Sequence, residues 1–506
     1  MDDVLVIGAG PTGLFLALVL ARLGVRARVV DAAEGPGTTS RALAVQARTL
    51  EIYRQLGLAR DVVDRGLVLG AVNMWRRGDL AGRIDLATAG TGLSPFPFGV
   101  IFPQDEHEKL LLARLADEGV AVARRTTIAS LEQTAGGFVA NGTGPDGAPV
   151  RHEARYIAGC DGARSATRGA IGVGFPGGTY EHLFYVADVA AHGRPMNGEL
   201  HVFLDEAGFL GLFPLAREGR ARLVGTIKDA SAGKKTLSWE DVDRDPIEKS
   251  GVTVDRVAWF STYHVHHRVA DAFRRGDVFL LGDAGHIHSP VGGQGMNTGL
   301  GDAMNLGWKL AAVLRGRANA DLLDTYEPER IAFARRLVAT TDRVFQAVSS
   351  ESRLAEWART QLVPRLLPHA MSTKLGRHLF FEALSQIGIE YRSSAWSEGN
   401  AGGVHAGDRL PWVAPAREGG DDNFTPLGSL DWQVHVYDDE PPAPAVRAAC
   451  DGRGVPVHVF PLHAAFARGA VHLVRPDGYL GGVFHGAHAA DALTRYLGAH
   501  GIRGRS

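Results

Sequence analysis

Residues 4–21 constrain this chain more than any other stretch. Val4-Leu5-Val6-Ile7 is a short, wholly apolar run, the pattern of a strand buried on both faces of a parallel sheet. Gly8-Ala9-Gly10-Pro11-Thr12-Gly13 follows, and Leu14 to Ala21 then reads as a helix that is apolar all round and therefore buried on most sides. Gly8 lets the backbone turn sharply off the strand. Gly10 lets a pyrophosphate approach with no Cβ in the way, and Gly13 allows close packing of helix on strand. The start of the helix offers free N–H groups and a partial positive charge to that phosphate. Gly24 stops the helix, Val25 to Val30 forms a second strand, and Asp31 stands at its end, 18 residues after Gly13. An acid there accepts hydrogen bonds from ribose hydroxyls, so the unit reads as a dinucleotide site.

Two later motifs repeat the pattern. Tyr156 to Ala158 leads into Cys160-Asp161-Gly162-Ala163-Arg164-Ser165, although Asp-Gly alone marks no more than a turn. Val278-Phe279-Leu280-Leu281 leads into Gly282-Asp283-Ala284-Gly285-His286 and on through Pro290-Val291-Gly292-Gly293-Gln294-Gly295-Met296-Asn297 to a long helix from Thr298. The buried strand delivers an aspartate to its carboxyl end, where open α/β sheets bind ligands. The glycines clear a surface on which something flat can lie, and the helix aims its positive end at it. Leu300, Met304, Gly307, Leu310 and Leu314 fall on one face of that helix.

Composition narrows the function classes. With 54 basic and 56 acidic residues the net charge is −2, which gives no bias toward nucleic acid or an anionic membrane. Hydrophobic residues at 45% exclude wholesale disorder. Cys160 and Cys450 are the two cysteines, too few for a disulfide framework or a four-cysteine metal site. His264, His266 and His267 lack a partner motif with ligand spacing, so no metal is expected. Met1-Asp2-Asp3 is acidic where a signal peptide is basic, and neither early apolar run spans a bilayer. A cytoplasmic protein with neither a membrane nor a nucleic-acid partner is expected.

A chain of 506 residues makes roughly two to four domains. Short runs such as FYVADV, LHVFL, FLGLFPL and DRVAWFSTY at 183–263 read as an antiparallel sheet inserted into the α/β chain. Residues 320–392 read as mostly helical, and 393–409 as a linker rich in Ser, Gly, Asn and His. Beyond it WQVHVYD, VPVHVF and AVHLVRPDGYL are strand candidates, and AADALTRYLGAH is helical.

The three motifs, in order and spacing over residues 1–340, resemble the single-component FAD-dependent aromatic hydroxylases, the group A flavoprotein monooxygenases of the para-hydroxybenzoate hydroxylase-like fold. Residues 400–506 are similar to the thioredoxin-like C-terminal domain of the phenol and aromatic polyketide hydroxylase branch, the cue being Arg475-Pro476-Asp477-Gly478-Tyr479. The resemblance implies an α/β fold: a Rossmann-like FAD-binding domain (1–182, with part of the substrate domain near 70–102), an inserted antiparallel β-sheet substrate domain (183–265), completion of the FAD domain with a helical segment (266–392), the linker, and a thioredoxin-like α/β domain (410–506). It implies FAD as cofactor, NADPH or NADH as reductant, O₂ as co-substrate, and a monomer or homodimer. The implied reaction is hydroxylation of a phenolic or polycyclic, polyketide-type aromatic through a flavin C4a-hydroperoxide.

Roles carry over position by position. Gly8, Gly10, Pro11, Thr12 and Gly13 would bind the FAD diphosphate, and Asp31 the adenosine ribose. Arg41 and Gln104 match positions that contact FAD, and Asp161 lies in the motif relatives use for FAD and NADPH. Asp283 would hydrogen-bond the ribityl chain. Pro290, Gly292, Gly293, Gly295, Met296 and Asn297 would line the isoalloxazine ring, with Pro290 and Gly292 facing the chemistry and no acid–base residue assigned. The chain departs from the family pattern in having Asp31 for the commoner glutamate, Gly285 for an alanine, and Leu480-Gly481-Gly482 after Tyr479. The C-terminal domain has no CxxC, so no thiol redox role is expected.

For the substrate, Trp75, Phe213, Tyr263 and Pro290 are the candidates, among residues of the facing segments that also include Phe98, Phe203, Trp259 and His264. Strand register decides which of them face the pocket. His286 and His288 read either as a general base or as loop packing, and Asp302 and Asn305 as braces of the long helix. Two other readings stay open. One is Baeyer–Villiger-type oxygenation of a polyketide ketone on the same flavin scaffold. The other is a redox-inactive escort of small GTPases, which shares the dinucleotide fold and against which the intact Pro290–Asn297 loop argues.

Overall fold

The structure is a computed structural model that describes residues 1–37, 42–76, 78–205, 208–216, 218–227, 237–289, 291–349, 366, 369–371, 373–417 and 419–505. The strand Asp2–Ile7 lies at the middle of the first sheet, which explains why Val4, Leu5 and Val6 are wholly buried. Its parallel neighbours are Ala27–Val30 on one side and Pro149–Gly159 on the other, and Val278–Leu280 runs parallel beyond the latter. Val122–Ala123 extends the same parallel set past Ala27–Val30. The three strands that end in glycine motifs are therefore adjacent, with their carboxyl ends on one edge of the sheet.

The buried helix Pro11–Arg22 packs against the long helix Gly295–Leu314. A Cβ on Gly307 would come within 2.7 Å of Val19 Cγ1, so the missing side chain sets how closely the two helices approach. The long helix begins at Gly295, ahead of the expected Thr298, which puts Met296 and Asn297 in its first turn.

The second sheet has eight strands in the order His286–Ile287, Val252–Val269, Gly177–Gly193, Arg220–Ile227, Gly208–Pro214, Leu200–Asp205, Ala71–Arg76 and Asp79–Asp85. It is antiparallel apart from the parallel pairing of Ala71–Arg76 with Leu200–Asp205. One face carries Trp75, Tyr185, Phe203, Leu212 and Leu223, and it is sealed by Trp239, Val242 and Ile247 from the short helices at 239–249. The other face carries Met74, Leu200 and Phe213, packed with Leu43, Ile101 and Met371 toward the first sheet's domain.

The C-terminal sheet has the order Val457–Phe460, Gln433–Tyr437, Val471–Val474, Leu480–Phe484. A parallel β-α-β unit, two antiparallel strands and a closing helix give the thioredoxin-like arrangement, with Val434 and Val436 packed on Val446, Cys450 and Leu493 of the helices Pro444–Asp451 and Ala489–Ala499. The segment 393–409 that joins it is itself folded. Asn400–Ala401 pairs with Val404–His405, and Trp396, Ala401, Val404 and Ala406 are buried. No helix among the described residues is long and apolar enough to cross a membrane, and none of their His, Cys, Asp and Glu side chains form a group of three placed to hold a metal.

His458, His435 and His472 form a row across three neighbouring strands. Burial lowers the pKa of all three, that of His472 to about 4. Each binds its proton less readily when folded than when unfolded, where it titrates near pH 6.5. The contribution of His472 to stability is therefore full above about pH 6.5 and lost as pH falls toward about 4. Unfolding by urea across this range should show stability declining with acid, and His472→Leu should reduce the proton uptake on unfolding by about one.

Candidate active site

The three strand ends are bonded to one another. Gly8 N–H donates to Val30 O at 2.8 Å, Cys160 N–H to Ile7 O at 2.7 Å and Leu281 N–H to Gly159 O at 3.0 Å. Gly8 has φ +105°, and a Cβ on it would lie 2.3 Å from Cys160 O, so only glycine fits. Gly13 is as tightly held, since a Cβ there would lie 1.9 Å from Gly8 O. Gly10 differs: a Cβ on it would meet no protein atom within 4 Å. The helix that begins at Pro11 has no side-chain cap, so its first N–H groups open onto that space. Asp31 organises the turn, accepting from Ala9 N–H at 2.5 Å and Ala33 N–H at 2.6 Å. A space kept open by Gly10, ringed by uncapped N–H groups with a carboxylate at its edge, fits the diphosphate and ribose of a dinucleotide.

Thr12 ties this cradle to the third motif. Its Oγ1 would lie 2.8 Å from a Cβ on Gly282 and 2.3 Å from one on Gly299, so both glycines make room for it. Gly282 turns with φ +57° and leaves Asp283 exposed beside it. Asp161 points inward to its own short helix, accepting from Ser165 Oγ at 2.5 Å and from Thr167 N and Oγ1 at 2.9 Å. Gln104 opens the helix Gln104–Asp117 and donates to Glu108 at 3.0 Å. Arg41 and Pro290 lie outside the described residues.

Asn297 is a cross-brace. Its Oδ1 accepts from Gln46 N–H at 2.9 Å and Thr49 Oγ1 at 2.7 Å, and its Nδ2 donates to Ala44 O at 2.9 Å and Gly293 O at 2.8 Å. Gln46 Nε2 adds a bond to Gly292 O at 2.9 Å. The glycine loop is thus fastened to residues 44–49, and Gly293 approaches so closely that a Cβ would lie 2.8 Å from Ala44 Cβ. Gly295 has His288 Nε2 as its nearest neighbour at 3.7 Å from the Cβ position, and Met296 packs partly buried on the main core.

The sequence reading of Asp302 as a helix brace understates it. Its fully buried carboxylate accepts from Gly282 N–H at 3.0 Å and meets His286 Nε2 at 2.7 Å and Arg330 Nε at 2.6 Å. Burial opposes its charge, but Arg330 and then His286 hold its pKa below the usual carboxylate value. With its Nε2 on this carboxylate, His286 is committed to the turn. His288 donates from Nδ1 to Ser289 O at 2.8 Å, its Nε2 is buried without a partner, and burial pushes its pKa down to about 4.

Strand parity sorts the aromatic candidates. Phe213 is cross-strand from Arg222, which is paired with Asp188, itself opposite Trp259; Phe184 opposite Tyr263 continues the same face. The Arg222 guanidinium binds Asp188 through two bonds of 2.6 and 2.8 Å and lies over the Trp259 ring. Phe213 and Tyr263 therefore share the face that looks toward the glycine loop's domain. Trp75 lies on the opposite face, donating to His201 at 2.8 Å and stacking on Phe203 at 5.7 Å. The structure does not bring it together with the other two.

The family model described as FAD binding domain matches residues 1–341. The chain is 34% identical over 410 residues to the 6-methylpretetramide 4-monooxygenase of Streptomyces rimosus, covering 80% of this chain and 73% of the relative. It superposes on the anhydrotetracycline hydroxylase from Streptomyces rimosus with a TM-score of 0.79 at 28% identity, covering all of both chains. An aklavinone-11 hydroxylase solved with FAD and aklavinone gives a TM-score of 0.78 at 27% identity over 98% of each chain. The chain belongs to the family of FAD-dependent aromatic hydroxylases, and it is an FAD-dependent monooxygenase.

The two glycines separate binding from folding. Gly10→Val, whose Cβ meets no protein atom within 4 Å, should leave the melting temperature of flavin-free protein unchanged and abolish FAD uptake. Gly13→Ala should destabilise the protein with or without flavin, because the added carbon strikes backbone. Differential scanning calorimetry beside flavin absorbance checks both.

Proposed function

We propose that this enzyme hydroxylates a polycyclic, polyketide-type aromatic compound with O₂, using NADPH or NADH as reductant, in the cytoplasm and as a monomer or homodimer. The observation that carries the reading is the convergence of three glycine-interrupted strand ends on one open cradle. The relatives named above act on compounds of this class. Bound FAD supplies the redox chemistry, taking electrons from the nicotinamide and activating dioxygen for transfer of one oxygen atom to the ring.

The residues divide the work. The helix start at Pro11, Thr12 and Gly13 and the open face of Gly10 hold the diphosphate, and Asp31 the adenosine ribose. Gln104, Arg41 and Asp283 make further contacts to the cofactor, and Asp161 stabilises the loop beside it. Gly292, Gly293, Gly295, Met296 and Asn297, with Pro290, form the bed for the flat ring. The long helix aims its uncapped N-terminus at that bed, which favours negative charge there. Phe213 and Tyr263 wall the opposite side and exclude water from the space above that bed. His286 is engaged by Asp302, and a His288 with a pKa near 4 remains neutral at pH 7. The oxygen transfer is accordingly assigned to positioning and dryness, with no acid–base residue.

Turnover under ¹⁸O₂ with a polycyclic phenol and NADPH should give a product carrying one labelled hydroxyl. A ring-expanded lactone, or reductant consumption with no labelled product across such substrates, overturns the reading. Phe213→Ala and Tyr263→Ala should lower kcat/KM by about ten-fold and raise hydrogen peroxide release, as expected for an apolar pocket contact removed. Trp75→Phe, on the far face, should leave both unchanged.

A further inference from the structure

The Arg475-Pro476-Asp477-Gly478-Tyr479 turn connects the strands Val471–Val474 and Leu480–Phe484 of the C-terminal domain, yet its side chains are buried against the N-terminal domain. Arg475 grips Glu329 through two bonds, Nη1 to Oε1 at 2.9 Å and Nη2 to Oε2 at 3.0 Å. Asp477 fixes the guanidinium from behind at 3.0 and 2.7 Å. Glu329 also receives Lys309 Nζ and Asn305 Nδ2, each at 2.7 Å, from the long helix. All of these side chains are essentially without solvent contact.

Two routes lead from this turn to the glycine loop. Along the first, Glu329 is followed directly by Arg330, which holds Asp302 at 2.6 Å and donates to Thr298 O at 3.1 Å in the first turns of the long helix. Asp302 in turn holds Gly282 N–H and His286, at the start of the loop. Along the second, Asp477 O accepts from Arg48 Nη2 at 2.5 Å, and the Arg48 guanidinium lies 4.9 Å over the Tyr479 ring. Arg48 belongs to the helix Ala47–Gln55, whose Thr49, with Gln46 just ahead of it, anchors Asn297 and so the end of the loop. The routes flank a cavity lined by Arg48, Asn297, Arg330, Tyr391, Asp477 and Tyr479.

We propose that the Arg475–Tyr479 turn is a two-armed clamp that holds both ends of the loop at 282–297, so that the grip on FAD depends on the C-terminal domain. This rests on the reading of that loop as the bed of the flavin. The physical reason is that buried charges must be partnered. Without Arg475 the buried Asp477 carboxylate loses both of its bonds to the guanidinium and Glu329 keeps only Lys309, Asn305 and Ser394, so the helix that carries Glu329 shifts to pair the buried charges again. That helix carries Arg330, so the Gly282 turn loses its fixed support. Arg475, Arg48 and Asp302 are positioning residues that act through the backbone of the loop.

The test measures FAD release from diluted holoenzyme by recovery of free-flavin fluorescence, together with the midpoint potential of the bound flavin. Arg475→Gln and Arg48→Met should each speed release at least ten-fold and shift the potential, and Arg475→Lys, which keeps the charge but not the fork, should fall between Arg475→Gln and the parent. Arg468→Ala, an exposed ion-pair residue of the same domain, should match the parent. Should Arg475→Gln not fold, Arg48→Met carries the test through the second arm. Folded variants that release FAD at the parental rate and potential, or that lower the melting temperature alone, overturn the clamp. A parent protein that takes up no FAD would defeat the flavin reading instead.

Discussion

A carboxylate with no access to water must be matched by donors on every side, and Asp302 is the point where this requirement shapes the molecule. Its partners come from three separate parts of the chain: the Gly282 turn, His286, and Arg330 on the following helix. Breaking such a set by removing one member costs about 3–5 kcal/mol, because the remaining charge stays buried. The set therefore fixes the geometry of the turn from which Asp283 projects, more rigidly than packing of small glycines alone can do.

The elements that were legible in the sequence are those whose cause is local. Gly8 and Gly13 are dictated by contacts a few residues away or by the neighbouring strand, and the apolar run at 4–7 can only be a central strand. Asp31 stands just past the strand end where its spacing puts it, and its bond to Ala9 N–H shapes the turn. What stayed hidden depends on distant partners. Trp75 and Phe213 look alike in sequence, and only the register with Phe203 and Arg222 puts them on opposite faces. Asn297 reads in sequence as one more residue of a glycine-rich loop, whereas its four bonds make it the fastening of that loop to residues 44–49. Nothing in the spacing of Glu329 and Arg475, or of Asp302 and Arg330, announces that they meet.

The two faces of the large sheet show how one element serves two ends. The outer face is closed by its own insertion at 239–249 and needs nothing from the rest of the chain. The inner face is not filled in this way. It carries an aromatic lining and, among it, the Asp188–Arg222 pair against Trp259. The Arg222 side chain is nearly without solvent contact, so the pair braces the three neighbouring strands Arg220–Ile227, Gly177–Gly193 and Val252–Val269 from within that face.

The C-terminal domain keeps a thioredoxin-like architecture without the conditions for thiol chemistry. Cys450 is packed among the helices, where burial pushes its thiol up to about 12, and Cys160, in the other domain, is also raised by burial. A thiol in that state is neither a nucleophile nor an electron carrier near neutral pH. Among the described residues of this domain, Arg475 and Asp477 are charged side chains buried to about 2% exposure, and they face the other domain. Placing paired charges in such an interface adds little net stability over an apolar contact of the same shape. It does add direction, since a forked guanidinium accepts one orientation of its carboxylate where an apolar surface accepts many. A domain that fixes orientation in this way serves a site that has to be held in one geometry while a large planar cofactor enters and stays.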